Sequence, residues 1–175
     1  MTYSKASMEE ELMRDRSKQN VERMANQMGD EPAQFGLLMD IFFDGSYRAT
    51  QYSAHLLGKC CDLHPHLILP YLGKMIDLLD EEVHDSLKRN ILRTMQFVDI
   101  PEEHWDKTVQ YCFELLQSRK EPIAVKVFGM TVLANLCEKL PELKNELRII
   151  IEDQMPYGSA GFKSRGSKIL KKLQQ

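Results

Sequence analysis

The sequence predicts an all-α fold, a solenoid of about four antiparallel helix pairs with an additional N-terminal helix. The first observation behind this is a recurring opening, a bulky apolar residue followed by lysine. Leu87-Lys88 is followed by Ile91, Leu92 and Met95. Val125-Lys126 is followed by Gly129, Met130, Val132 and Leu133, and Phe162-Lys163 by Gly166, Ser167, Ile169 and Leu170. The openings are 38 and then 37 residues apart, and a further step of 38 upstream reaches Ala49, followed by Ser53, Ala54, Leu56, Leu57 and Gly58. A period of this size with helical spacing inside each copy is the signature of stacked helix pairs. The second observation is composition: nine glycines and many Leu, Met, Lys and Glu residues favour helix. The third is that no stretch alternates apolar and polar residues as a strand does.

The elements follow in order. Ser7, with Glu10 three residues on, reads as a capping box opening a helix to about Gln27. Its apolar seam is Leu12, Val21, Met24 and Met28, although Arg14 to Asn20 is nearly all polar. Gly29-Asp30 ends it. Pro32 opens a helix over 33–43, and Asp44-Gly45-Ser46 turns the chain into a second helix over 47–63. His64-Pro65-His66 breaks that helix, because proline disfavours helix in the residue before it. The next pair is 66–79 and 82–98, with Pro70 in a first turn where it is tolerated. Asp99-Ile100-Pro101 begins a third pair, reaching Gln117 and then running from Pro122 to Leu140; Glu102 and Glu103 face the positive end of the first dipole. Pro141 opens the fourth, 142–154, and Pro156-Tyr157-Gly158 leads into a last helix over 159–173. Short connections imply antiparallel neighbours. The expected organisation is an N-terminal capping helix over 1–30 and a repeat domain over 31–175, in one compact unit.

A hydrophobic fraction of 43% and a charged fraction of 28% are those of an ordinary soluble domain. A net charge of −3 argues against a general polyanion trap. Cys60, Cys61, Cys112 and Cys137 sit within apolar helical patterns and read as buried thiols of a reducing compartment. The first thirty residues are polar where a signal peptide would be apolar, and no apolar run is long enough for a bilayer. The expected location is cytoplasmic, with no membrane partner.

The openings Leu87-Lys88, Val125-Lys126 and Phe162-Lys163, with small and aliphatic residues after them, resemble the second helices of HEAT/armadillo-type α-helical repeats. Ala49-Thr50 departs from the opening, while Ser53-Ala54 and Leu56-Leu57-Gly58 match the remainder. The resemblance covers residues 32–174. It implies a right-handed superhelix whose second helices line a concave face and bind a macromolecule there. It does not specify which one, because such arrays carry many unrelated tasks.

The positions between the buried ones on the second helices are the candidate partner-binding residues: Tyr52 and His55, Arg89 and Arg93, Phe128 and Thr131, Arg165 and Lys168. Aromatic and arginine side chains are frequent energetic anchors, and this series suits an acidic, partly apolar protein or peptide. The function expected is a non-enzymatic interaction module or scaffold. The alternative is a nucleic-acid-binding protein similar to the HEAT-like DNA-alkylation-repair glycosylases. Those line their repeats with basic and aromatic residues, whereas the one tryptophan here, Trp105, falls on a first-type helix. The last helix carries Lys163, Arg165, Lys168, Lys171 and Lys172 and no acid. That pattern serves an anion-facing patch, or simply favours the dipole of a C-terminal helix.

Two further stretches bear on chemistry. Cys60-Cys61-x-x-His64-x-His66 gathers metal-ligand types, but the two cysteines point to different sides of a helix and no second Cys/His pair follows at finger spacing. Met155-Pro156-Tyr157 before Gly158-Ser159 is similar to the signature loop of the fumarase/aspartase/adenylosuccinate lyase superfamily, yet the serines that precede the pair there are Asp153-Gln154 here. No phosphate loop or nucleophile elbow occurs. No metal, cofactor or catalytic residue is expected.

Overall fold

Short side-chain caps decide where the helices start. The computed structural model describes residues 2–81, 83 and 85–174, and these contain ten α-helices, two 3-10 segments and no strand. α1 (Lys5–Arg14) is opened by Ser4, whose hydroxyl accepts the Ser7 N–H while Ser7 Oγ accepts the Ser4 N–H at 2.9 Å. The capping box is therefore Ser4 with Ser7, not the expected Ser7 with Glu10.

The single helix expected over 7–27 is also two helices. Asp15 Oδ1 accepts the Ser17 N–H at 2.8 Å, and Ser17 Oγ accepts the Asn20 N–H at 3.1 Å. Asn20 Nδ2 donates back to the Asp15 carbonyl at 2.8 Å. This local network ends α1 and starts α2 (Lys18–Met28), satisfying backbone groups that a continuous helix would have paired internally. The bonds from Ser17 hold the Asp15 carboxyl below the usual carboxylate range. Ser17→Ala should cost about 1 kcal/mol, read from a denaturant melt, because it removes an N-cap acceptor. Gly29 closes α2 at φ +59°, ψ −148°, a conformation that L side chains rarely adopt.

The four expected pairs follow. Pro32 is the first residue of α3 (Pro32–Asp44), and Ser46 caps α4 (Tyr47–Leu63) by accepting the Ala49 N–H at 3.3 Å. The helix expected from His66 begins as a 3-10 segment, Pro65–Tyr71, and becomes α-helical only at α5 (Leu72–Leu79). Pro70, without an N–H to donate, sits inside that 3-10 segment. α6 spans Asp85–Met95, so the helix stops short of the expected Val98; its expected first residue, Glu82, lies outside the described residues. A 3-10 turn, Glu102–His104, leads into α7 (Trp105–Gln117). α8 (Ile123–Leu136) ends four residues before Leu140, where Glu138 and Lys139 switch to i−3 bonds at 3.1 and 2.9 Å ahead of Pro141. α9 (Leu143–Gln154) and α10 (Ala160–Leu173) form the last pair, with Ser159 accepting the Phe162 N–H at 3.3 Å.

Contacts divide the chain into two units, Met1–Met75 with Phe97–Asp99, and Ile76–Gln96 with Ile100–Gln175. In the first, α3 pairs with α4, α1 packs on α3 and α4, and α2 packs on α4. α1 and α2 thus both pack onto the α3–α4 pair. Phe35, Leu38, Phe42, Leu56, Leu57 and Ile68 are fully buried there. In the second unit α8 pairs with α7 and lies between α6 and α10, while α9 contacts α7, α8 and α10. The result is one layer of second helices, α6, α8 and α10, over a layer containing α7 and α9.

Small residues set the approach within pairs. Ser53, Gly129 and Gly166 are all buried. A Cβ built on Gly129 would lie 3.8 Å from the Cys112 carbonyl oxygen on α7, and one on Gly166 would lie 2.9 Å from Met155 Sδ beyond α9.

All four cysteines are buried and free. Burial pushes Cys60 and Cys112 up to about 12 and Cys137 to about 11, from an ordinary value near 9.0. Thiolate, the reactive form, is therefore scarce at neutral pH. Iodoacetamide should label the native protein slowly and the denatured protein at four sites. The sign of the pH dependence follows. The thiols' contribution to stability is complete below about pH 9, where the unfolded chain still holds its protons. It is lost as pH rises towards 11–12, because the unfolded chain ionises first.

Candidate functional site

The second-helix layer of the second unit is cationic. α6 carries Lys88, Arg89 and Arg93 against Asp85; α8 carries Lys126 and no acid; α10 carries Lys163, Arg165, Lys168, Lys171 and Lys172 and no acid. The opposite layer balances the other way. α7 sets Asp106 and Glu114 against Lys107, and α9 sets Glu146, Glu152 and Asp153 against Lys144 and Arg148.

Neutral polar side chains tie the cationic layer together. Arg165 Nη1 donates to Thr131 Oγ1 at 2.7 Å and to Gln96 Oε1 at 3.2 Å. Thr131 in turn donates to the Val127 carbonyl at 2.9 Å. Asn135 Nδ2 donates to the Gln96 carbonyl at 2.9 Å, and Lys172 Nζ donates to Asn135 Oδ1 at 3.0 Å while pairing with Glu138 at 2.6 Å. That lysine holds the Glu138 carboxyl below its usual range. The ladder crosses from the end of α6 over α8 to α10 and leaves guanidinium and ammonium groups at its surface.

The structure places Arg89 and Arg93 on α6, Phe128 and Thr131 on α8, and Arg165 and Lys168 on α10, with α8 in contact with both neighbours and Arg165 bonded to Thr131. Arg89 and Lys168 are exposed; Arg93, Phe128, Thr131 and Arg165 are half-buried. Tyr52 and His55 belong to α4 of the first unit. There the Arg16 guanidinium stacks 5.0 Å from the Tyr52 ring centroid and donates to its hydroxyl at 2.8 Å, so Tyr52 is half-buried beneath it. His55 is exposed and borders a small recess with Leu12, Arg16 and Val21. The expected series singled out neither Gln96 nor Asn135 nor Lys172. A signal was present: Thr131 and Asn135 are four apart, and Arg165, Lys168 and Lys172 step by three and four, one helical face in each case.

A second feature lies where α7 and α9 end and α8 and α10 begin. It is a cleft of about 580 Å³ lined by Ile123, Ile149, Ile150, Tyr157 and Phe162, with Arg119, Lys126 and Asp153 at its polar positions. Lys126 Nζ donates to Gln154 Oε1 at 3.4 Å, and Gln154 Nε2 donates to the Leu116 carbonyl at 3.0 Å. Desolvation pushes the Lys126 ammonium below its ordinary value, against the pull of Glu121. Glu121 itself is engaged by Lys88 at 3.0 Å.

The other candidate stretches have structural settings. Cys60 and Cys61 are buried, while His66 Nε2 lies 2.7 Å from Asp30 Oδ1 and His64 Nδ1 lies 4.0 Å from the same oxygen. Among the described residues no three His, Cys, Asp or Glu side chains gather as a metal site. Met155 and Tyr157 form the α9–α10 turn, with Met155 Sδ directed at Gly166. The Trp105 indole N–H is occupied by the Ile100 carbonyl at 2.7 Å. No helix among the described residues is long and apolar enough to cross a membrane.

Consecutive helix pairs, packed closely within α7–α8 and α9–α10 at the buried Gly129 and Gly166, define an α-helical repeat protein. The chain belongs to the HEAT repeat family, whose model, described as a HEAT repeat domain, matches residues 8–173. The match begins within α1, which packs on α3 and α4. No curated protein and no solved structure matches the chain.

Proposed function

We propose that this HEAT repeat domain is a non-enzymatic interaction module that captures an acidic protein or peptide on the α6–α8–α10 layer. The observation carrying this reading is the charge of that layer, where α8 and α10 have no acid and α6 has one. An acidic ligand meets a surface of matching sign there, which speeds encounter and selects against basic partners. Arg165 is held ready by Thr131 and Gln96, so less side-chain freedom is lost when it pairs with a carboxylate. Phe128, half-buried on α8, offers an apolar contact of the kind that anchors interfaces. A cytoplasmic location accords with four free thiols.

Affinity capture with the wild-type domain and with Arg89→Glu/Lys168→Glu, followed by mass spectrometry, tests the reading. Acidic proteins enriched by the wild type and lost by the variant support it; an unchanged set of proteins overturns it. Nucleic acid is the competing outcome. It would appear as an affinity that falls linearly on a log–log plot against salt through counterion release, for duplexes of any sequence.

A further inference from the structure

We infer that the cleft between the ends of α7 and α9 and the starts of α8 and α10 is a second docking site, for a peptide segment in which a large apolar side chain stands beside an aspartate or glutamate. It does not depend on the α6–α8–α10 layer binding anything.

The apolar half of the inference comes from exposure. Few large hydrophobic side chains are well exposed on the described surface, and Ile123 at 44%, Ile149 at 51% and Tyr157 at 92% all line this one cleft. They come from three different segments, the first turn of α8, the middle of α9 and the α9–α10 turn. Their convergence is therefore a product of the fold and not of one apolar run. A volume near 580 Å³ is that of a ligand cleft and accommodates one or two side chains of a peptide.

The charged half comes from Lys126 and Arg119. Lys126 sits at the apolar wall, where desolvation disfavours its ammonium, and its bond to Gln154 is a long one to a neutral amide. A carboxylate brought in beside it would supply the opposite charge that the amide does not. Arg119 lines the same cleft with a second cation, and Asp153, exposed on α9, is the acid that a basic residue of the segment could meet. Two cations against one acid favour an acidic segment, and the isoleucines favour an apolar neighbour to that acid. A polyanion without apolar side chains would leave Ile123 and Ile149 in water.

The probe is a fluorescein-labelled hexapeptide alternating leucine and glutamate, with the leucine–lysine hexapeptide as control. It is titrated into the full chain carrying 13C-labelled isoleucine methyl groups. The expected result is saturable binding that shifts the Ile123, Ile149 and Ile150 methyl signals. Lys126→Met and Ile149→Glu should each weaken binding by at least about tenfold, a change of roughly 1.4 kcal/mol. Lys126→Met keeps the apolar stem, and Ile149 is half in solvent, so both variants should melt as the parent does. In Arg89→Glu/Lys168→Glu the probe should still shift the Ile123, Ile149 and Ile150 methyl signals over the same titration range as in the parent, whatever binding is lost at the α6–α8–α10 layer. Equal binding of the lysine control overturns the inference. So does probe binding with unmoved isoleucine methyls that is lost in Arg89→Glu/Lys168→Glu, a pattern that assigns the peptide to the α6–α8–α10 layer and leaves that reading intact. Movement of the same methyls by a single-stranded oligonucleotide, and not by the peptide, also overturns it.

Discussion

Gly166→Leu is expected to lower the melting temperature more than any other single substitution considered for this chain. A Cβ at this position would lie 2.9 Å from Met155 Sδ and 3.1 Å from Ile151 Cγ2. The thioether is flexible and can swing aside. Ile151 is fully buried and β-branched, so it has no free rotamer to retreat into. The remaining leucine atoms would then have to separate α9 from α10, at a cost of about 1–3 kcal/mol for overpacking. In a chain of this length each kcal/mol shifts Tm by roughly 2–4 °C. Gly129 supplies the internal contrast. Its Cβ would meet Cys112 atoms at 3.8–3.9 Å, ordinary contact distances. Gly129→Ala should therefore stabilise α8 by about 0.5–1 kcal/mol, because alanine loses less backbone freedom in a helix. Gly129→Leu should reverse that gain by driving its outer carbons into α7. A differential scanning calorimetry series of the three variants checks this, and a Gly166→Leu protein melting with the wild type would show that α10 does not seat on α9 through that glycine.

The second large effect is on recognition. Arg89→Glu/Lys168→Glu should reduce affinity for an acidic partner by at least about thirtyfold, roughly 2 kcal/mol, because like charges across an interface are costly. Both side chains are exposed, so folding stability should change by no more than about 0.5 kcal/mol. Arg93 is half-buried and Arg165 bonds to Thr131 and Gln96, so reversal at either would mix a packing effect with the binding effect. Isothermal titration at two salt concentrations separates the causes. The deficit should shrink as salt screens the exposed charges, whereas a misfolded surface would stay deficient at every ionic strength.

Much of this architecture was legible in the residues. Pro32, Ser46, Pro101, Pro122 and Ser159 stand at or next to the starts of helical segments because each solves the problem of unpaired N-terminal N–H groups, and that chemistry is local. The break between α1 and α2 is less legible, although Arg14 to Asn20 form a polar run. Asp15, Ser17 and Asn20 compete with the helix by bonding to nearby backbone, and only the folded geometry, with Asn20 buried and the other two exposed, settles which of those bonds form. The same limit applies at Pro70, which a first turn tolerates on local grounds but which lies here in a 3-10 segment.

What the sequence determined by itself is the second helix of each repeat and its buried face, since a period of 3.6 residues within a period of 37–38 leaves little freedom in which residues turn inward. Ser53, Gly129 and Gly166 were marked as contact positions by that register alone. Tertiary structure decided what fills the space between elements. It placed Arg16 over Tyr52, joined Gln96 and Asn135 with Arg165 and Lys172 in one ladder, and gathered Ile123, Ile149 and Tyr157 around one cleft. The physical reason is range. Caps and helical faces depend on residues a few positions apart, whereas these groupings join side chains of different elements, 36 to 69 residues apart in the hydrogen-bonded cases, and exist only once the helices have packed.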